Sequence, residues 1–538
     1  MAASHSAPVA RSLVAAWRDR VDRHPDGVAV TYFDGRLTAR ELEEQSDALA
    51  VAFAELGTDR GDRVGIHLQN IPQFVVALVA LWKLGATALI LNPMYRRAEL
   101  RHLVDDAQAA GFICSDADRD EAGDALAGGS VRWIVTTSAR AYQTRNDPRA
   151  FADPEQPTTS TDHDLVDLVE KHRGHRPPTI ELSGDDIALL TYTSGTTGPP
   201  KGAMNTHANL LAVTSTYAAW IGLEPGDVVF AMAPLFHITG AVVNATVALL
   251  GDATVALAGR FHPEIALEAF VEHGVTTTIG SITAYHAMAA VPWAGAEHFA
   301  TVKALYSGGA PIAPATVERF EERFGHYIHN VYGMTETSSA VIAVPLGSRA
   351  PVDPASGTLA IGMPLPGLVA HVVAPDGTAQ RPLEQGELEL SGPQVVPGYW
   401  HRPDATEATM PGGRLRTGDV AIMDADGWVY LVDRLKDQIN VSGFKVWPRE
   451  VEDALYEHPE VREAAVVGEP DDYRGESVVA YVSLRAGGEV TSESLVAHAR
   501  ERLAAYKVPR RVEIVDELPK TQTGKIRRNV LRERGGKP

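Results

Sequence analysis

The stretch LLTYTSGTTGPPKG, Leu189 to Gly202, follows an apolar run and crowds Thr193, Ser194, Gly195, Thr196, Thr197 and Gly198 ahead of Lys201. Small residues let backbone N–H groups close around phosphate oxygens, hydroxyls add donors, and a lysine adds charge. The string therefore predicts a phosphate cradle. A Walker A loop would place Ser or Thr directly after its lysine. Here Lys201 is followed by Gly202 and the glycine spacing differs, which disfavours a kinase or P-loop ATPase.

Around this stretch the chain reads as layered α/β. From Gly27 to Phe112 helical segments such as LTARELEEQSDALAVAFAEL alternate with short apolar runs such as DRVGIHL and GATALILN. The alternation resumes in VFAMAPL, ATVALAG, TTTIG and ALYSGG. The polar, Pro-rich segment from Asp147 to Pro178 is expected to be a surface excursion or linker. The apolar run Phe74 to Trp82 stops at Lys83, far short of the ~20 residues a membrane span needs, and predicts a buried helix. From Ala370 the texture turns strand-like, as in AHVVAPDGT, GELELSG and GWVYLVD, which predicts a small β-rich subdomain. Beyond Asp433, the helical segments PREVEDALYEH and SESLVAHARERLAAY and the strands AAVVGEP, ESVVAYVSL and RVEIVDEL predict a compact α+β unit. The expected domains are 1–433 and 434–538, with the boundary at Asp433 to Lys436.

The 538 residues carry 49 Lys and Arg against 69 Asp and Glu, a net charge of -20 that would repel nucleic acid and acidic membrane surfaces. A cation-lined pocket could still take a small anion. Cys114 is the only cysteine, so neither an intrachain disulfide nor a Cys-rich metal site is expected, and a cytoplasmic location fits. The N-terminal residues lack the apolar core of a secretory signal, and the histidines lack metal-ligand spacing.

Further motifs follow in order: PLFHITG (Pro234 to Gly240), SGGAP (Ser307 to Pro311), NVYGMTET (Asn330 to Thr337), RTGD (Arg416 to Asp419), DRLKDQINVSGFKV (Asp433 to Val446) and PKTQTGKI (Pro519 to Ile526). With the cradle, they resemble the adenylate-forming superfamily of acyl-CoA synthetases, peptide-synthetase adenylation domains and beetle luciferases, over essentially the whole chain. The resemblance implies a large layered α/β N-terminal adenylation domain and a mobile α+β C-terminal domain. Its implied chemistry is activation of a carboxylate by ATP and Mg2+ to an acyl-adenylate, which coenzyme A then attacks.

It also implies roles. Glu336 and Thr193 serve the metal and phosphates, because Mg2+ prefers oxygen ligands. Thr335 contacts a phosphate. Tyr332 offers a face to adenine and Asn330 its polar edge, with Gly309, Ala310, Pro311 and Gly333 alongside. Asp419 and Arg434 hold the ribose. His237 is placed among the catalytic residues and in the acyl pocket, with Val242, Ser281, Tyr285, Gly308 and Met334. Lys525 reaches the carboxylate and the α-phosphate when the C-terminal domain closes. Lys436 is the hinge, and Ser442, Gly443, Phe444 and Lys445 face coenzyme A in a second arrangement. The neighbouring Arg527, Arg528 and Arg532 are read as a solvated face.

Coenzyme A is favoured over a carrier protein as acceptor because no carrier domain follows Lys525. Light emission is disfavoured by Asn440, where luciferase-like members tend to carry lysine, and by the lack of an SKL-type ending. Pro397 departs from the basic residue many members have before Gly-Tyr. The segments HITGAVV, SITAY, YSGGA and GMTETSSA offer no Lys or Arg to pair a second carboxylate, so the acid is expected to be monocarboxylic and apolar. The N-terminal texture looks most like fatty-acyl members, which favours a medium or long chain. Alternatives are an aryl or specialised acid, a stand-alone enzyme loading a carrier, and, distantly, an inactive nucleotide-binding homologue. A homodimer is left open.

Overall fold

A computed structural model describes residues 12–151, 163–193, 199–310, 312–354, 357–434, 437–442, 444–471, 474–521 and 525–535. Among these residues four sheets form. The first is seven-stranded, in the order His163–Asp164, Trp133–Thr137, Gly111–Ser115, Arg63–His67, Thr87–Ile90, Ile187–Tyr192 and Gly202–Thr206. Its pairings are parallel except the last, where Ile187–Tyr192 and Gly202–Thr206 run antiparallel. The second is nine-stranded, with a parallel centre in the order Ile328–Met334, Ala304–Ser307, Thr277–Gly280, Val228–Phe230, Thr254–Leu257 and Val28–Tyr32.

The apolar run read as a buried helix is the helix Pro72–Lys83, and every residue of it is buried. An α-helix apolar on all sides needs protein on all sides, and this one packs within the main core. Lys83, at its end, is paired with Glu43 at 2.7 Å and Asp47 at 2.6 Å. The helix Ala39–Glu55 starts at a capping box between Thr38 and Glu41.

The β-rich subdomain is a four-stranded antiparallel sheet of Val369–Val373, Gly386–Ser391, Leu415–Met423 and Val429–Arg434. The C-terminal unit has its own core and a sheet of Phe444–Val446, Ile439–Val441, Gly475–Leu484, Val461–Asp471 and Arg511–Ile514, with helices Pro448–Tyr456, Ser492–Arg500 and Arg528–Gly535.

Three expectations change. The segment read as a linker is partly folded: His163–Asp164 joins the seven-stranded sheet, and the helix Leu165–Lys171 packs on Ala39–Glu55. The helix read through Tyr506 ends at Arg500, and the chain continues in turns toward Pro509. Arg528 is no solvated residue. It is mostly buried and bonds both carboxylate oxygens of Glu452, at 2.8 and 2.7 Å, while the partly exposed Arg532 pairs with Asp437 at 2.8 Å. Only Arg527 is exposed as expected. Among the described residues no helix is long and apolar enough to cross a membrane.

Candidate active site

The site is assembled at the carboxyl ends of parallel strands. In the nine-stranded sheet, Val228–Phe230 connects onward to Thr254–Leu257 on one side, while its other neighbour, Thr277–Gly280, connects onward to Ala304–Ser307 in the opposite direction. Such a switch point opens a crevice beyond the strand ends. His237 follows Val228–Phe230, Ser281 follows Thr277–Gly280, Gly308 follows Ala304–Ser307, and Met334 ends Ile328–Met334. Four of the expected acyl-pocket residues are thereby brought to one end of the sheet. Val242 and Tyr285 lie deeper, both fully buried. Tyr285 is committed to packing: its hydroxyl donates to the Tyr306 carbonyl at 2.8 Å and its ring meets Phe320 edge-on.

His237 Nδ1 accepts from the Thr239 amide at 3.3 Å, which leaves the ring proton on Nε2. Burial, and then the nearby Lys525 charge, push its pKa down to about 3, so the imidazole is neutral at physiological pH. From Thr239 to Thr246 the backbone winds as a π-helix, a form frequent at functional sites and not anticipated from the sequence.

The cradle motif falls in sequence between the antiparallel strands Ile187–Tyr192 and Gly202–Thr206, whereas a P-loop leads from a strand into a helix. The Thr193 amide donates to the Lys201 carbonyl at 2.9 Å, and the Lys201 amide donates to Thr193 Oγ1 at 3.3 Å. Ser194, Gly195, Thr196, Thr197 and Gly198, like Pro311, Lys436 and Gly443, lie outside the described residues.

Glu336 occupies the short 3-10 turn Thr335–Thr337 that ends the strand Ile328–Met334. It is only 7% exposed, and Tyr399 donates to its Oε1 at 2.6 Å. Tyr399 pairs with Ala203 as an isolated bridge, and the Lys201 ammonium lies 4.7 Å from its ring centroid. Tyr399 thus joins the cradle to the carboxylate. Sequence reasoning missed it, although its Gly-Tyr motif was noted for Pro397. Asn205 Nδ2 donates to the Thr335 carbonyl at 3.1 Å, a second tie between the hairpin and this turn.

The expected ribose and adenine residues also converge. The Tyr332 hydroxyl donates to Asp419 Oδ2 at 2.7 Å, and Arg434 Nε faces Asp419 Oδ1 at 3.2 Å. Asp419 and Arg434 are cross-strand partners in the β-rich subdomain, so sheet register places both. Burial, followed by the Asp419 charge, raises the Tyr332 hydroxyl well above its ordinary pKa. Asn330 is buried with its amide donating to the Ala360 carbonyl at 3.3 Å. Gly333 has no room for a side chain: a Cβ there would come within 1.9 Å of the Ser339 carbonyl oxygen.

Lys525 arrives from the C-terminal unit. Its Cε is 3.4 Å from where a Cβ on Gly309 would stand, and Gly309 itself has φ +81, the left-handed region that favours glycine. Burial lowers the ammonium pKa and Arg434 lowers it further, opposed by Asp419 and Glu336. Two sequence-distant groups therefore meet over one site. The hairpin of Ile439–Val441 and Phe444–Val446 makes its contacts within the C-terminal unit: Ser442 N donates to the Arg474 carbonyl, and the 57% exposed Phe444 stacks on Tyr506 at 4.8 Å. Lys445 is exposed beside it.

Among the described residues no three His, Cys, Asp or Glu side chains gather as a metal cluster. The donor set at Glu336 and Thr193, one carboxylate and one hydroxyl, suits Mg2+ carried in by phosphates, which fill most of its shell along with water.

Comparison with known proteins agrees with this geometry. The family profile described as AMP-binding enzyme matches residues 17–400, and that of the AMP-binding enzyme C-terminal domain matches 450–525. A long-chain-fatty-acid–CoA ligase of Bacillus subtilis (strain 168) is 34% identical over 539 residues, covering 97% of this chain and 94% of its own. A feruloyl-CoA synthase of Amycolatopsis sp is also 34% identical, over 518 residues, covering 96% and 98%. The crystal structure of ATP-bound MatB from Rhodopseudomonas palustris superposes with a TM-score of 0.87 at 28% identity, covering 97% of this chain and 98% of that one.

Proposed function

The chain belongs to the AMP-binding, adenylate-forming family as an AMP-forming acid–CoA ligase, and from that premise we propose that it activates a monocarboxylic, largely apolar acid and passes it to coenzyme A. In the first step a carboxylate oxygen attacks the α-phosphorus of ATP and the bond to the β-phosphate oxygen breaks, releasing pyrophosphate and leaving an acyl-adenylate. In the second the coenzyme A sulfur attacks the acyl carbon, the bond to AMP breaks, and the thiol proton is lost to solvent.

The observation that carries this reading is Lys525 against Gly309, within the field of Arg434, Asp419 and Glu336. Two anions must approach each other in the first step, and fixed cations aimed at the shifting charge lower its barrier without reorganising. Lys525 supplies that charge, while Lys201 and the Thr193 and Thr335 hydroxyls hold phosphates. Tyr332 and Asn330 take adenine, and Asp419 and Arg434 the ribose. Mg2+, when bound, neutralises phosphate charge. Glu336, fixed by its bond from Tyr399, would hold it together with Thr193. The neutral His237 lines the acyl side, where it adds no charge to attract a second carboxylate.

A medium- or long-chain fatty acid is the proposed substrate, supported by pocket segments that lack Lys and Arg and by the fatty-acyl relative. The feruloyl-CoA synthase relative, equally identical at 34%, supports an aryl acid as the second reading. Acid-dependent ATP–pyrophosphate exchange with octanoate, palmitate, ferulate, benzoate and succinate, followed by addition of coenzyme A, separates them. Octanoate or palmitate should drive the fastest exchange and yield the thioester. Fastest exchange with ferulate or benzoate would replace the fatty acid by an aryl acid, faster turnover of succinate would overturn the apolar pocket, and no exchange with any acid would overturn the ligase.

A further inference from the structure

We propose that Arg449 and Arg319 form a clasp across the seam between the two units, which holds the C-terminal unit in the arrangement that presents Lys525 and so sets the balance between the half-reactions. The proposal rests on the two-step reading given above.

Arg449 lies in the first turn of the helix Pro448–Tyr456 of the C-terminal unit and its side chain is only 2% exposed. Its donors cross the seam. Nη1 donates to the Leu431 carbonyl at 3.2 Å and Nη2 to the Ile312 carbonyl at 3.5 Å. Leu431 belongs to the last strand before the hinge, and Ile312 continues the Gly309 loop on which Lys525 rests. The Arg449 backbone amide also donates to Asp433 Oδ2 at 2.9 Å. At the opposite end of the same helix, Arg319 of the N-terminal unit donates through Nη1 to the carbonyl of Tyr456 at 3.4 Å. Tyr456 is the last residue of that helix, where unsatisfied carbonyls and the helix dipole favour a cation. The helix is therefore gripped at both ends, from helix Pro314–Phe324 and the loop that leads into it.

The acceptors suit a clasp that must open. They are neutral carbonyls met at 3.2, 3.5 and 3.4 Å, at the long end of the hydrogen-bond range, where each bond is weaker than a close charge-assisted one. The counter-ion of Arg449 is Asp453, 3.4 Å from Nε and on the same helix, so it travels with the arginine when the unit rotates. Arg319 keeps a buried Nη2 without a hydrogen-bond partner among the described residues, and burial, then the like charge of Arg485, disfavours its charge. The Arg528–Glu452 pair is different: both ends lie within the C-terminal unit, so it can persist in either arrangement.

The test is the pair Arg449→Lys and Arg319→Gln, singly and together. Lysine keeps the charge beside Asp453 but cannot span two carbonyls. Spin labels at Ser215→Cys and Ser494→Cys, on exposed helical positions of the two units, report their separation, since the only native cysteine, Cys114, is buried. The double variant should lose the compact population several-fold and slow acid-dependent pyrophosphate exchange by roughly 10-fold. Transfer from supplied acyl-adenylate to coenzyme A should stay within about twofold. Restoring Arg449 in the double variant should recover part of both effects. An unchanged distance distribution, or equal loss of both half-reactions in a folded variant, would overturn the clasp. Absence of exchange in the unmodified protein would instead overturn the two-step reading, and the label distances alone would then decide the clasp.

Discussion

Tyr399→Phe removes a single oxygen and keeps the ring that the Lys201 ammonium faces at 4.7 Å. The lost bond is the 2.6 Å donation to Glu336, a carboxylate 7% exposed. A hydrogen bond to a charged group contributes about 1.5–3 kcal/mol, and a buried acceptor left without its donor also keeps its desolvation cost. At about 1.4 kcal/mol per tenfold, adenylation should fall roughly 10- to 150-fold. The loss should appear in kcat/KM for ATP, measured by acid-dependent pyrophosphate exchange, with a raised Mg2+ requirement because Glu336 is no longer oriented. Transfer from supplied acyl-adenylate should change little, since it needs no Mg2+ between phosphates. Tyr399→Leu should lose a further factor through the ring beneath Lys201, a cation–π contact of about 0.5–1 kcal/mol at an accessible site. Exchange within twofold of the unmodified protein at every Mg2+ concentration would refute the link between Tyr399 and the metal.

Two other outcomes concern stability. Burial pushes the pKa of His67 and of His207 down to about 4, and that of His237 to about 3, below the unfolded value near 6.5. The unfolded chain therefore takes protons first as pH falls, so this stability is intact above about 6.5 and declines toward pH 4 and 3; urea midpoints should drop between pH 7.5 and 5, and less so in His207→Gln. Lys83→Ala removes the nearest cation from Asp47 and Glu43 and leaves them Arg176 at 3.4 Å and Arg18 at 4.0 Å; it should cost about 1–3 kcal/mol by chemical denaturation, and a cost below about 0.5 would show that water reaches the pair.

The sequence carried the site further than it carried the fold's detail. Lys525, Glu336, Asp419, Arg434 and Tyr332 sit in short motifs whose chemistry is local, and the folded chain gathers all five. Alternating segments likewise announced most strands, because a strand's pattern is written in its own residues. What stayed hidden depends on partners distant in sequence. Tyr399 matters through Glu336, 63 positions away, and nothing around a Gly-Tyr pair reports that. Arg528 looked like one of a solvated basic group, and only the fold of the C-terminal unit brings Glu452 to it. Tyr285 looked like pocket lining until the Tyr306 carbonyl and Phe320 claimed it. The π-helix Thr239–Thr246, buried from Gly240 to Thr246, was not announced by its own residues.

On the two-step reading the C-terminal unit brings Lys525 to the nucleotide residues for one half-reaction only. Separate measurement of the two half-reactions in Lys525→Ala tests it most directly. Acid-dependent pyrophosphate exchange should be abolished, while transfer from a supplied acyl-adenylate to coenzyme A stays within a few-fold of the unmodified protein. Equal loss of both half-reactions, with the variant still folded, would contradict the account.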